Sequence, residues 1–225
     1  MALLKSTGLC KSYEKKHRLV HALKDCSIEI NAGECVAVSG GRDSGKTTLL
    51  RLLSGLERPT QGSVYINQKN IFSYKEDELA MVRRKEIGFS LQNDSLIPEL
   101  TVHENVILPS LLAGIKFDEG YYKELADHLH ISGILSLNPK YLSDRQLQCV
   151  ALARALINQP NIIMLDEPAI YLYQQFDKEI LDFLMNMVYL NKKTLILVTN
   201  DTDINLYVDH IITLKQGEVI EDKRI

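Results

Sequence analysis

Cysteine is scarce in this 225-residue sequence, basic residues show no excess, and long apolar runs are missing. Each shortage excludes something. The four cysteines, Cys10, Cys26, Cys35 and Cys149, have no metal-ligand spacing, and a chain of this size does not need disulfide staples. Reduced, cytosolic thiols are expected. Lys and Arg number 26 against 29 Asp and Glu, so the formal net charge of −3 gives no footprint for a nucleic-acid backbone. The apolar runs at 162–165 and 195–198 are far shorter than the ~20 residues that span a bilayer. Residues 1–8 hold no apolar segment of the secretory kind. Any membrane role is therefore expected to pass through a partner. Low-complexity stretches, Pro/Gly linkers, repeats and heptad runs are missing too.

What remains is the composition of a folded globular protein, 45% hydrophobic and 24% charged. The length suits one large domain, or one with a small inserted lobe. Residues 1–90 read as short strands (20–22, 26–30, 35–39 and 64–66) with one helix from Lys46 to near Gly55. Residues 93–155 read mainly as helices, at 102–112, 119–129 and 144–157. Residues 160–225 alternate again: strand 162–165, helix 175–189, strand 194–199, a short helix 204–207, and a hairpin of 211–214 with 218–220 around Gly217. This alternation predicts an α/β fold with a mostly parallel sheet covered on both faces. Its ligand belongs at the carboxyl ends of the strands.

Two motifs sit at such ends. Gly40-Gly41-Arg42-Asp43-Ser44-Gly45-Lys46-Thr47 fits G-x-x-x-x-G-K-[ST] between an apolar strand and a leucine-rich helix. Glycines let backbone N–H groups close around phosphate oxygens, and the helix N-terminus adds positive potential. Lys46 is placed to reach the β- and γ-phosphates, and the Thr47 hydroxyl to ligate Mg²⁺. The second motif, Ile162-Ile163-Met164-Leu165-Asp166-Glu167-Pro168, is a buried strand ending in two acids. Asp166 suits the metal, and Glu167 suits a general base that polarises the attacking water. A solvated turn is the bland alternative for the acids, and the phosphate loop upstream argues against it.

With these residues the chain resembles the ATP-binding-cassette (ABC) ATPases, from Tyr13 to Gly217. Positions 40–48, Gln92, 142–156, 165–168 and 198–201 occur in that family's order and spacing. Ile87-Gly88-Phe89-Ser90-Leu91-Gln92 and Leu96-Ile97-Pro98-Glu99-Leu100-Thr101-Val102 are similar to the macrolide-exporter/lipoprotein-release (MacB/LolD-like) branch. The resemblance implies a P-loop NTPase of ABC type. It implies one domain over 1–225: a core and antiparallel β subdomain from 1–91 and 158–225, and a helical signature lobe at about 92–157. Tyr13 would stack on adenine, and Thr48 would complete the nucleotide loop. Gln92 would touch Mg²⁺ and the attacking water. ATP would lie between two cassettes, the loop of one facing the signature helix of the other, with a transmembrane permease as further partner. Location at the cytoplasmic face of the plasma membrane follows from that permease. Soluble two-cassette proteins fit poorly, because this chain has one cassette.

Several positions depart from the family pattern. Leu142-Ser143-Asp144-Arg145-Gln146 stands where Leu-Ser-Gly-Gly-Gln is usual. A carboxylate at Asp144, ~5 Å from a γ-phosphate at an effective dielectric of ~20, costs about 3 kcal/mol. That weakens ATP-driven closure roughly a hundredfold, with Arg145 offsetting part. Cys149 replaces an arginine, and Tyr173 the aspartate that organises the opposite site. Asn200 replaces the switch histidine, so it can hydrogen-bond but not ionise. Arg42-Asp43 replaces serine and glycine, and this pair faces Asp144-Arg145 across the implied dimer, where the two could attract or stay independent solvated pairs worth little each. The expectation is an ATP-binding transporter subunit with slow hydrolysis. The alternative is a pseudo-ATPase that regulates a permease without turnover.

Overall fold

Two sheets organise the chain, and the first holds the site. The computed structural model describes residues 2–15, 18–90, 96–167, 177–199 and 207–225. The six-stranded sheet contains β4 (Cys35–Ser39), β7 (Ile87–Ser90), β8 (Ile162–Asp166), β9 (Thr194–Val198), β10 (His210–Lys215) and β11 (Glu218–Arg224). Their spatial order is β11-β10-β4-β9-β8-β7, parallel from β10 to β7 with β11 antiparallel at one edge. Every residue of β8 and β9 is buried. Their unbroken apolar runs are what a sheet covered on both faces requires.

Alternate residues of each strand feed different cores. Cys35, Ala37, Ile163, Leu165, Leu195 and Leu197 join one cluster. The intervening Val36, Val38, Ile162, Met164, Ile196 and Val198 join the other. The first cluster is completed by α3 (Val102–Ala113), α4 (Glu119–His128), α5 (Asp144–Leu156) and α6 (Asp177–Tyr189). Helices in the middle third thus share a core with the sheet.

The second cluster is closed by α1 (Lys46–Leu53) and by the second sheet. That sheet is antiparallel: β2 (Arg18–Cys26), β1 (Ala2–Lys15), β5 (Gln61–Ile66) and β6 (Lys69–Asn70) in that order, with β3 (Glu29–Asn31) also on β1. The expected strands at 20–22 and 26–30 are therefore parts of a longer β2 and of β3. Residues 2–15 form one 14-residue strand. A further helix, α2 (Glu76–Glu86), precedes β7. The helices at 102–112, 119–129 and 144–157 and the final hairpin are found within a few residues of their expected places. The short helix at 204–207 lies mainly outside the described residues. None of the four cysteines is in a disulfide. Among the described residues no helix is long and apolar enough to cross a membrane.

Candidate functional site

Parallel pairing brings the carboxyl ends of β4, β9 and β8 to one edge, with Asp166 opposite Val198 and Val38 also opposite Val198. The loop after β4 and the acids at the end of β8 therefore meet at the start of α1. The helix is pinned by Leu49, Leu50, Leu52 and Leu53, all at most 1% exposed. Each contributes about 2 kcal/mol of burial, which fixes where the N-terminus points.

That N-terminus is bare. Its cap residue is Gly45, with no side-chain cap and no acid in the first turn. Glycine has no side chain with which to cap the leading N–H groups. Gly45 has φ +106°, and a Cβ there would lie 2.5 Å from the Ala22 carbonyl oxygen. Gly40 has φ +144°, and a Cβ would lie 2.3 Å from the Leu214 carbonyl oxygen. Only glycine fits either position. Arg42 and Asp43 are exposed at the tip of the loop.

Lys46 is buried, and its Nζ donates to the Gly40 carbonyl at 2.7 Å and the Gly41 carbonyl at 2.9 Å. Burial lowers its pKa, against the pull of Glu167, Asp166 and Asp43. Burial likewise raises the Asp166 carboxyl above its usual range; a hydrogen bond with Thr47 opposes this and the Glu167 charge adds to it. Two oxygens here, Ser44 Oγ and Asp166 Oδ1, are buried without a hydrogen-bond partner. Such orphans are uncommon in folded proteins, and an ion or ligand is one explanation. An Asp166 carboxylate hydrogen-bonded with Thr47 and carrying a free oxygen fits Mg²⁺, which takes one or two protein carboxylates and fills its shell with water and phosphate. Among the described residues no cluster of three or more His, Cys, Asp or Glu is arranged to hold a metal.

Glu167 follows directly, in the left-handed region at φ +50°, with its N–H bonded to the Val198 carbonyl at 2.7 Å. A non-glycine residue held there costs about 1–3 kcal/mol and clusters at working sites. Gln92, Asn200 and Tyr173 lie outside the described residues.

Tyr13 sits near the end of β1, half-buried, and its hydroxyl donates to Glu57 Oε2 at 2.6 Å. Burial raises its pKa, and the Glu57 hydrogen bond adds to that while one with Thr48 opposes it. Thr48 belongs to the first turn of α1, so Tyr13 and the phosphate loop share one helix. The residues Tyr13, 40–48, Asp166 and Glu167 are thus gathered together. Glu57 is an addition that no local sequence signal marks.

The signature residues form a different structure. Ser143 caps α5: its Oγ accepts from the Gln146 N–H at 3.3 Å, and Gln146 Oε1 accepts from the Ser143 N–H at 2.9 Å. This is a reciprocal capping box. Asp144 is exposed in the first turn, with no hydrogen bond or ion pair among the described residues, and Cys149 is buried in the core.

The profile described as ABC transporter matches residues 23–170. MJ0796 of Methanocaldococcus jannaschii, an uncharacterized ABC transporter ATP-binding protein, is 34% identical over 99% of this chain and 97% of its own length. A dimeric structure of MJ0796 superposes with TM-score 0.92 at 33% identity, covering 98% of each chain. A dimeric post-hydrolysis state of MJ0796 bound to ADP and Pi gives 0.90. The lipoprotein-releasing system ATP-binding protein LolD of Syntrophotalea carbinolica is 35% identical over 97% of both. The macrolide export ATP-binding/permease protein MacB of Shewanella sp. is 34% identical over 99% of this chain, which spans 35% of that longer protein. Loop, acids and fold agree with these matches, and the chain belongs to the ABC transporter family, with the P-loop cassette fold of its ATPases.

Proposed function

We propose that this chain is the ATP-binding subunit of an ABC transporter. In this reading it binds Mg-ATP, closes against a second cassette, hydrolyses ATP slowly and drives a membrane permease. The whole chain acts as one domain, with the helices of 92–157 as its signature lobe. The observation that carries the reading is the pair of buried, unpartnered oxygens, Ser44 Oγ and Asp166 Oδ1, at the glycine-capped start of α1. An anion there accepts hydrogen bonds from backbone N–H groups and from the Ser44 hydroxyl. Lys46 exchanges its two loop carbonyls for phosphate oxygens. Asp166, Thr47 and Gln92 would hold Mg²⁺, which when bound supplies positive charge against the triphosphate. Glu167 then takes the proton of the attacking water, with Gln92 and Asn200 orienting it. Tyr13 carries the adenine.

Dimerisation is supported by the dimeric relative MJ0796. A permease is supported by MacB, whose name joins ATP-binding and permease functions. Such a partner would place this chain at the cytoplasmic face of the membrane. A groove of about 190 Å³ suits it, lined by Leu56, Phe89 and Pro109 with Arg83, Arg84 and Arg154. Slow turnover is supported by the exposed carboxylate of Asp144 at the start of α5. Across the dimer, Arg42-Asp43 of one copy would face Asp144-Arg145 of the other, and a charge-swap cycle on dimerisation separates mutual attraction from two independent solvated pairs.

Calorimetry with Mg-ATP is the first test: wild type binds and Lys46→Ala does not. Equal heats from both would remove the ATP reading. Phosphate release above that of Glu167→Gln is the second. Binding with no turnover above that control would leave the regulatory pseudo-ATPase.

A further inference from the structure

Glu57 lies 44 residues from Tyr13 in sequence, yet its carboxylate is where the Tyr13 hydroxyl ends, at 2.6 Å. It follows α1 directly. The Leu56 and Glu57 N–H groups fold back onto the Arg51 carbonyl at 2.9 and 3.2 Å, around Gly55 at φ +69°. The other carboxylate oxygen, Oε1, accepts from Arg51 at 3.2 Å. Lys11 stands 3.4 Å from Oε2, holds the Arg58 carbonyl at 2.8 Å, and lies over the Tyr13 ring at 5.1 Å from its centroid. Tyr13 thus has one ring face taken by a cation and its hydroxyl fixed by an acid anchored to the far end of α1. The near end of the same helix carries the phosphate loop, about 12 Å away at 1.5 Å per residue.

Burial works to raise the Glu57 carboxyl. The hydrogen bonds from Tyr13 and Arg51, with the Lys11 charge, outweigh it and hold the group below the usual carboxylate range. It is therefore an anion, and a strong acceptor, at neutral pH.

We propose that Glu57 is a positioning residue for nucleotide binding, fixing the Tyr13 ring at a set distance from the phosphate loop so that a purine stacks on the face opposite Lys11. This rests on the reading of the site as an ATP site. The role is indirect: Glu57 touches the ring that touches the base. It follows that Glu57 governs the contribution of the base and leaves that of the phosphates alone.

The experiment compares Mg-ATP with Mg-tripolyphosphate, which has the phosphates and no base, on wild type, Glu57→Ala, Glu57→Gln, Tyr13→Phe and the double variant Tyr13→Phe/Glu57→Ala. Stacking on aromatic side chains sets the available range at roughly five- to a hundredfold. Glu57→Ala is expected to weaken Mg-ATP about tenfold and to leave tripolyphosphate unchanged. Glu57→Gln keeps an acceptor for the Tyr13 hydroxyl and restores affinity to within about threefold of wild type. Tyr13→Phe matches Glu57→Ala, and the double variant is no weaker than either alone. An equal loss for ATP and tripolyphosphate would overturn the proposal in favour of a purely structural role at the end of α1. Unchanged ATP affinity in Glu57→Ala, or additive losses in the double variant, would overturn it as well. These outcomes are separable from failure of the ATP reading, which shows as wild type binding neither compound.

Discussion

Two helix starts in this molecule present opposite solutions to the same problem. α1 begins at Gly45 with no side-chain cap and no acid in its first turn. α5 begins at Ser143 with a closed capping box and Asp144 in its first turn. The first draws neither a side-chain cap nor a first-turn acid from its own sequence; the second draws both. The bare start is useful only if something else completes it. The self-sufficient one gains local stability and loses appetite for an anion. A helix terminus is thus offered or withheld by two or three residues and by the backbone they adopt, left-handed at Gly45 and extended at Ser143.

The comparison is broken most severely by filling the bare end. Gly45→Ala puts a Cβ 2.5 Å from the Ala22 carbonyl oxygen at a φ of +106°. Backbone strain and overpacking together are expected to cost roughly 4 kcal/mol, read as a drop in the denaturant midpoint; unchanged stability would mean the loop is not held as described. Next comes opening the closed end. Asp144→Gly removes the first-turn carboxylate and is expected to tighten ATP-driven dimerisation by up to about a hundredfold. The same change loses helix propensity and dipole compensation, so stability falls by about 1 kcal/mol. Gel filtration with ATP and thermal melts read the two effects in opposite directions, and a loss of both would show that Asp144 serves the dimer. Smaller still, Ser143→Ala removes one half of the capping box and should lower stability by about 1 kcal/mol, with nucleotide binding to the isolated chain unaffected.

The smallest effect concerns pH. The folded Glu57 carboxyl sits below its ordinary value. Its contribution to stability is therefore fully present above the unfolded pKa of ~4.3. It is lost as pH falls through the folded value. The melting-temperature gap between wild type and Glu57→Gln should be constant from neutral pH to about 5 and close below about 4. A gap that opened on acidification would reverse the sign assigned to this group.

How much of this was legible in the sequence depended on distance along the chain. The loop from Gly40 to Thr47 is contiguous, so its residues announce both the turn and its chemistry. Ile162 to Asp166 and Thr194 to Val198 are legible as buried strands because both faces are covered. α2 is not legible by apolar period, since Leu79 is its one buried residue. Its signal is charge order, Glu76, Asp77 and Glu78 at the start and Arg83, Arg84 and Lys85 at the end, as the helix dipole favours. β1 was hidden by Gly8 at φ +58° and by register shifts against β2, β3 and β5 that interrupt its alternation. The link from Tyr13 to Glu57 joins two sheet and helix ends, and no local pattern encodes it. The family resemblance supplied the roles of Gln92, Tyr173 and Asn200, which lie outside the described residues.

Lys46 already grips the Gly40 and Gly41 carbonyls through its Nζ. Uptake of a triphosphate at this loop is then a substitution, in which one set of oxygens displaces another from the same ammonium. The net gain is the difference between the two sets, so calorimetry will see a smaller heat than a count of lysine–phosphate contacts suggests. Truncating the lysine also unlatches the loop from itself, and part of any affinity lost in that variant will reflect a slackened receptor.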